Sequence, residues 1–151
     1  MQKSLDDFRT LEHRLEPVGE IGGVLFVNDS KSTTVASTRA AIVSVGRPVV
    51  LVAGGRDKGV SFTDIEPLLV ERVKAAVLYG EARDKIAASW KDFRPVKKEA
   101  LFADAVRAAF REAADGDCVL LSPMCASFDQ FSSFEQRGEA FKRAFRELKG
   151  Q

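Results

Sequence analysis

Short β-branched runs alternate with stretches of helical spacing along most of this chain, and that alternation leaves few folds open. Residues 24–27 form the first strand-like run, entered through Gly22-Gly23, with residues 15–19 placed to pair with it as a hairpin. A helix is expected over 33–45. The continuous apolar run 49–53 suits a strand buried on both faces. The pattern then predicts a helix over 62–73 capped by Ser61 or Thr63, a strand over 75–79, a helix over 81–90 and a weak strand over 96–99. Phe102, Val106, Ala109, Phe110 and Ala113 follow at helical spacing. Residues 118–122 make the last strand, ended by Pro123, and Phe131, Phe134, Phe141, Phe145 and Leu148 mark one face of a final helix. Strands alternating with helices imply an α/β fold: a mainly parallel sheet with helices on both faces and right-handed crossovers.

Composition narrows the function classes. Hydrophobic residues are 45% and charged residues 30% of the 151, as in a soluble globular domain. The net charge of +1 gives no case for nucleic acid or an anionic membrane as a partner. No apolar run approaches the roughly 20 residues that span a bilayer. Residues 1–14 contain no apolar core of a secretion signal, so a cytoplasmic setting is expected. Two cysteines, Cys118 and Cys125, are too few for a disulfide scaffold, and with the single histidine they make no metal site. Most of the eleven phenylalanines fall at helical spacing and read as core.

Ligands of open α/β sheets bind beyond the carboxyl ends of the strands. Three segments there combine small or hydroxylic residues with donors: 28–34, 54–59 and 122–131. Lys31 and Lys58 supply positive charge, and Thr33 and Ser127 supply hydroxyls placed near helix N-termini, where unpaired backbone N–H groups favour anions. Each segment also has a plainer reading: Asp29 and Ser30 as a helix cap, Gly54-Gly55 as a tight turn, the lysines as solvated charges. Three such segments on one sheet edge favour a site for carboxylates or phosphates. The phosphate-loop pattern, a GxGxxG after a strand and a GxSxG elbow are all absent.

His13-Arg14-Leu15-Glu16 with Asn28-Asp29-Ser30-Lys31-Ser32-Thr33, then Gly54-Gly55-Arg56-Asp57-Lys58-Gly59, then Leu121 to Phe131 continuing through Phe134-Glu135-Gln136-Arg137-Gly138, resemble the C-terminal domain of the Mur ligases. The likeness runs from about Leu11 to Leu148. The Asp29-Ser30-Lys31 segment is similar to the branch that adds D-glutamate. Thr34, Met124 and Phe128 depart from residues common in that family.

The resemblance implies a Rossmann-like domain of an ATP-dependent amide ligase of peptidoglycan precursor synthesis. ATP would phosphorylate the carboxylate of UDP-N-acetylmuramoyl-L-alanine, and the amine of D-glutamate would attack the acyl phosphate. By position, Thr33 and Lys58 are expected to hold the α-carboxylate of D-glutamate. Ser127 and the backbone N–H groups of Phe128 and Phe134 would hold its side-chain carboxylate. Lys31 would add charge near the substrate as the candidate catalytic residue, and His13, Arg14 and Asp29 would face the nucleotide. The family's Mg²⁺ ligands and phosphate loop lie in a domain that this sequence lacks, so the chain is expected to be inactive alone and monomeric. Residues 1–10 read as the tail of a preceding domain and 11–151 as the amino-acid-binding domain. The alternative of another class is a non-catalytic α/β binding or regulatory module, such as a receiver-like domain phosphorylated at Asp29 or Asp57. Such a module needs an acidic Mg²⁺ pocket, which Lys31 and Lys58 disfavour.

Overall fold

The computed structural model describes residues 12–151; the expected tail, residues 1–10, lies outside them. Six strands make one sheet: β1 (Glu16–Ile21), β2 (Val24–Asn28), β3 (Val49–Gly54), β4 (Val73–Tyr79), β5 (Val96–Glu99) and β6 (Cys118–Met124). Their spatial order is β1-β2-β6-β3-β4-β5. β1 runs antiparallel to β2 and all other pairs are parallel. The expected hairpin forms, and its turn residues Gly22 and Gly23 take φ of 56° and 80°. Positive φ at both central positions gives the turn hand that matches strand twist, and glycine adopts it without a Cβ clash.

Five helices cover the sheet: α1 (Val35–Ser44), α2 (Glu66–Arg72), α3 (Arg83–Ser89), α4 (Phe102–Glu112) and α5 (Phe134–Lys149). The crossovers β2–α1–β3, β3–α2–β4 and β4–α3–β5 all step in one direction along the sheet. Right-handed crossing therefore puts α1, α2 and α3 on one face. There Ile42, Leu69 and Ile86 pack with Leu51, Leu78 and Leu120. The connection from β5 back to β6 reverses direction, so α4 lies on the other face with α5. Phe26 sits between these helices and the sheet, its ring 5.0 Å from Phe145 and 5.8 Å from Phe141. Each such side chain contributes about 1.5–3 kcal/mol by leaving water. The central strands β3 and β6 are buried along their whole length, as the unbroken apolar run of β3 requires. No described helix is long and apolar enough to cross a membrane.

Several local expectations change; Phe131, expected on the face of the final helix, precedes α5, which begins at Phe134. The helix expected over 33–45 starts at Val35, because Thr34 is extended and its hydroxyl accepts the Ser37 N–H at 3.1 Å. Asp29 and Ser30 are therefore not its cap. The helix expected over 62–73 is a 3-10 turn, Thr63–Ile65, followed by α2; Pro67 lacks an N–H and lies in the first turn, where none is needed. Neither Ser61 nor Thr63 caps α2. Its end comes earlier than expected, since Val73 already pairs with Val49. Pro123 does not end its strand: β6 runs to Met124. The proline falls beyond the last β2 pair, Asn28 with Leu121, and inside a register shift against β3, where a missing N–H breaks no ladder bond.

At the amino edge of the sheet Asp117 joins β6 to its neighbours. Its Oδ2 accepts from Lys74 Nζ at 2.7 Å and from the Ala114 N–H at 2.8 Å. Burial pushes this carboxyl up, but the Lys74 and Ala114 donors outweigh it and hold it below the ordinary aspartate range. A lowered folded pKa gives stability that is present above the unfolded value and lost as pH falls through the folded one. Asp117→Asn should therefore cost about 1–3 kcal/mol at pH 7, with the gap closing below about pH 4. Urea unfolding of both proteins at pH 7, 5 and 3 checks this, and a gap independent of pH rejects it.

Candidate functional site

Because β2, β6 and β3 are parallel neighbours, the three segments singled out in the sequence leave the same sheet edge side by side. After β6 the chain turns to the α5 face, while after β2 and β3 it turns to the opposite face. This divergence opens a crevice at the carboxyl edge, where open α/β sheets bind ligands.

The β2 segment is pinned by Asp29. The Asp29 carboxylate accepts from the Leu15 N–H at 3.0 Å, from the Ser122 hydroxyl at 2.8 Å and from the Ser32 hydroxyl. Burial nevertheless drives its pKa above the ordinary aspartate value, against these donors and the charge of Arg14. Ser32 in turn accepts the Met124 N–H at its carbonyl, 3.1 Å away. Lys31 is exposed, and its N–H reaches the His13 carbonyl at 2.9 Å.

His13 is buried, with φ of 65°, and its Nδ1 accepts from Asn28 Nδ2 at 2.9 Å. That bond leaves the ring proton on Nε2, which faces the carboxylates of Glu12 and Glu139 at 3.8 and 3.9 Å. The imidazole lies so close to α5 that a Cβ on Gly138 would stand 2.1 Å from Nδ1. Glu12, His13 and Glu139 could converge on a metal ion, but Lys142 Nζ already lies 3.1 Å from Glu12 and 3.5 Å from Glu139. A cation among the carboxylates makes this an ion-pair cluster. Of the three residues expected to face a nucleotide, Arg14 alone is exposed; His13 and Asp29 are engaged in the scaffold.

The β3 segment presses directly on the β6 segment. Gly54 and Gly55 have φ of 138° and 132°, and a Cβ on them would stand 2.1 Å from the Tyr79 carbonyl and 2.4 Å from the Ala126 carbonyl. The pair is thus a close approach of three backbones and more than a tight turn. Arg56 N–H donates to that same Ala126 carbonyl at 2.9 Å. Asp57 is held by Lys85, at 3.0 and 3.1 Å to its two oxygens, and accepts the Gly59 N–H at 2.8 Å. These donors keep the Asp57 carboxyl below the ordinary range, the Gly59 N–H contributing most. Lys58 Nζ donates to the Thr33 carbonyl at 3.0 Å, so the structure brings together two residues expected to share one ligand group.

In the β6 segment Ser127 is buried and its carbonyl accepts the Gln130 and Phe131 N–H groups at 3.2 and 2.9 Å. It stands apart from a helix N-terminus, contrary to the expectation: α5 begins at Phe134, capped by Ser133, whose hydroxyl accepts the Gln136 N–H. Phe128 is 59% exposed at the rim, an exception to the reading of phenylalanines as core. Asp129 Oδ2 accepts the Glu81 N–H at 3.0 Å. Cys125 is buried, and burial pushes its thiol up to about 12, which makes it unreactive at neutral pH.

One residue that the sequence reading did not single out ties the edge together. Arg137, fully buried on α5, donates from Nε to Ser30 Oγ at 3.0 Å and from Nη2 to the Ser30 carbonyl at 2.7 Å. Its Nη1 donates to the Cys125 carbonyl at 2.9 Å. Ser30 Oγ in turn donates a hydrogen bond to the Phe134 carbonyl at 2.7 Å. The signal was available: Phe134, Arg137, Phe141, Phe145 and Leu148 share one helical stripe, and a charge on the apolar stripe is a buried charge.

The edge thus offers lysine ammonium groups, hydroxyls and backbone N–H groups, an arrangement for carboxylates. It does not fit Mg²⁺, because Asp29 and Asp57 are already occupied by protein donors and Lys31 and Lys58 stand beside them.

Comparison with known proteins places the chain in a family. The family described as "Mur ligase, glutamate ligase domain" matches residues 13–125. A UDP-N-acetylmuramoylalanine--D-glutamate ligase of Nitratidesulfovibrio vulgaris (strain DP4) is 45% identical over 93% of this chain and 33% of its own length. Proteins of the same name from Chloroherpeton thalassium and Bacteroides thetaiotaomicron are each 45% identical over 98% of the chain and 32% and 34% of their own lengths. The chain therefore spans about a third of these relatives. Among solved structures, a bifunctional folylpolyglutamate synthase/dihydrofolate synthase from Yersinia pestis CO92 superposes with a TM-score of 0.60 at 18% identity, over 91% of this chain and 31% of its own. A domain from Haemophilus ducreyi 35000HP, assigned to a UDP-N-acetylmuramate:L-alanyl-gamma-D-glutamyl-medo-diaminopimelate ligase, gives 0.58 at 15%, over 91% and 98%. At these identities the two structures show the shared fold.

The contact at Gly55 yields a paired test. Gly55→Ala should destabilise by about 2 kcal/mol or more, because positive φ and a backbone clash act together. Gly22→Ala, with φ of 56° and nothing within 4 Å of the new Cβ, should lose only about 1 kcal/mol. Urea midpoints of the two variants decide; equal losses would mean that the backbone approach is not tight.

Proposed function

The chain belongs to the Mur ligase family, whose glutamate ligase domain it matches, and from that membership we propose that it is the amino-acid-accepting domain of an ATP-dependent ligase joining D-glutamate to UDP-N-acetylmuramoyl-L-alanine. Relatives of that name at 45% identity support the choice of substrates. The observation that carries the site is the meeting of Lys58 with the Thr33 carbonyl at 3.0 Å, which joins two segments into one cationic, hydroxyl-bearing corner. In this reading the α-carboxylate of D-glutamate lies between Lys58 and Thr33. Its side-chain carboxylate takes the Ser127 hydroxyl and the N–H groups of Phe128 and Phe134. Two separated donor clusters suit a dicarboxylate, and charge-assisted hydrogen bonds give it strength.

Holding the amino acid by both carboxylates leaves its amine as the free end. The amine nitrogen, once its ammonium form has lost a proton, attacks the carbonyl carbon of the acyl phosphate; the bond to the phosphate oxygen breaks, phosphate leaves with the electron pair, and the nitrogen gives its second proton to that phosphate as the amide forms. Lys31, exposed at the mouth of the crevice, places a positive charge where the former carbonyl oxygen and the departing phosphate concentrate negative charge. Arg14 is the residue of this domain that reaches the nucleotide, while His13 and Asp29 fix the backbone that presents it. ATP phosphorylation and Mg²⁺ binding fall to the parts of the longer relatives that this chain does not span, so the chain alone turns nothing over. Such a ligase works in the cytoplasm, where its nucleotide substrates are.

In the full-length ligase, Lys58→Ala should raise the KM for D-glutamate about ten- to a hundredfold, the loss of one charge-assisted contact, with the KM for ATP changed less than about threefold. Arg14→Ala should do the reverse. Initial-rate kinetics with each substrate varied in turn give the answer. Unchanged D-glutamate kinetics in Lys58→Ala would remove Lys58 from the site.

A further inference from the structure

We propose that the buried guanidinium of Arg137 positions the carboxylate end of the site and makes the domain select an amino acid whose side chain ends in a charged carboxylate over one ending in a neutral amide. The inference rests on the reading that D-glutamate is the incoming amino acid, and it assigns a role to a residue that reading does not use.

Arg137 is fully buried, yet its partners are all neutral: the Ser30 hydroxyl, the Ser30 carbonyl and the Cys125 carbonyl. Among the described residues no carboxylate lies within ion-pair distance of it. Asp129, on the same segment, turns its Oδ2 to the Glu81 N–H and keeps a buried Oδ1 with no hydrogen-bond partner, outside ion-pair distance of Arg137, and Asp29 spends its oxygens on Leu15, Ser32 and Ser122. Neutral acceptors satisfy the N–H groups of a guanidinium without cancelling its charge. A positive charge held out of water without a direct ion-pair partner acts strongly on an anion brought near it.

Position gives that charge its object. Cys125, whose carbonyl Arg137 holds, is two residues before Ser127. Phe134, whose carbonyl accepts from the same Ser30 hydroxyl, opens α5 one turn before Arg137. The guanidinium therefore lies behind the Ser127–Phe134 side of the crevice, on the protein side of the donors assigned to the side-chain carboxylate. Lys31 and Lys58 stand at the exposed side, where water weakens their reach. The Ser127 hydroxyl and the backbone N–H groups could donate to an amide oxygen almost as well as to a carboxylate. Discrimination between the two must come from a fixed charge, and Arg137 is the buried one. Its planar fork does the second part of the work, fastening the segment after β2 to the segment after β6 through Ser30 and Cys125.

The test compares kcat/KM for D-glutamate and D-glutamine in the full-length ligase and its Arg137→Met and Arg137→Lys variants, with circular dichroism and thermal unfolding to show that each is folded. The parent should prefer D-glutamate. Arg137→Met should shrink that preference by about tenfold or more, the loss of one charge's contribution, and a folded variant that loses both substrates in equal proportion overturns the inference. Arg137→Lys, which keeps the charge but not the fork, should lower kcat/KM for both substrates while retaining the preference within about threefold. If Arg137→Met does not fold, Arg137→Lys decides: a retained preference supports the inference and a collapsed one overturns it. A parent enzyme that does not use D-glutamate at all would instead reject the function proposed above.

Discussion

A single guanidinium with no ionic partner among the described residues holds the working edge of this domain in shape. Arg137 reaches from the middle of the first turns of α5 to the backbone of two segments that are far apart in sequence, at Ser30 and Cys125. The sheet alone would place the ends of β2 and β6 side by side, but it would not fix the loops beyond them. Those loops carry Lys31, Thr33 and Ser127, so their backbones have to be stiff enough to present donors without rearrangement. A lysine in the same place would offer a point charge; the arginine fork satisfies three acceptors in one plane and orders both segments at once. Asp29 does the matching work one residue earlier, drawing Leu15, Ser32 and Ser122 onto one carboxylate.

The division between rigid support and exposed rim follows from the same constraint. The close approaches at Gly54, Gly55 and Gly138 leave no space for a side chain. Around them stand groups that face outward: Arg14, Lys31 and Phe128. The backbone is closely held beneath the edge, and long side chains are left exposed along its rim. Cys125 and Tyr79 belong to the support. Burial pushes both of their pKa values far up, so neither takes part in proton transfer near neutral pH.

The fold was legible because its signals are local and repeated. Each buried strand is an apolar run ended by Asn, Gly or Ser, and α4 shows its stripe in Phe102, Val106 and Ala109. What misled was chemistry whose partner lies elsewhere in the chain. Pro123 looks like a strand end until the register of β6 against β3 is known, because only that register shows its nitrogen has no ladder bond to lose. Asp29 and Ser30 have the composition of a helix cap, and only the folded partners Ser122 and Arg137, both distant in sequence, turn them inward. The candidate site was legible as three loops with donors. Its pairing of Lys58 with Thr33 was not visible in spacing, since it depends on β6 standing between β2 and β3 and on the loops arching over it.

That strand order also explains why one domain of this kind can hold an amino acid and still leave its amine free. β6 enters the sheet last and is inserted between strands laid down earlier, so its loop departs to the opposite face from its two neighbours. The crevice that results is lined from both sides: lysine and threonine from one direction, serine and a helix start from the other. In the proposed function a short dicarboxylate would bridge the two walls and be fixed at both ends, leaving its remaining functional group to point out of the crevice. The third side of the site is then open toward whatever carries the activated carboxylate. Under the proposed function, a domain built this way would need to recognise only its own substrate, and closing it against the other reactant would exclude water from the acyl phosphate.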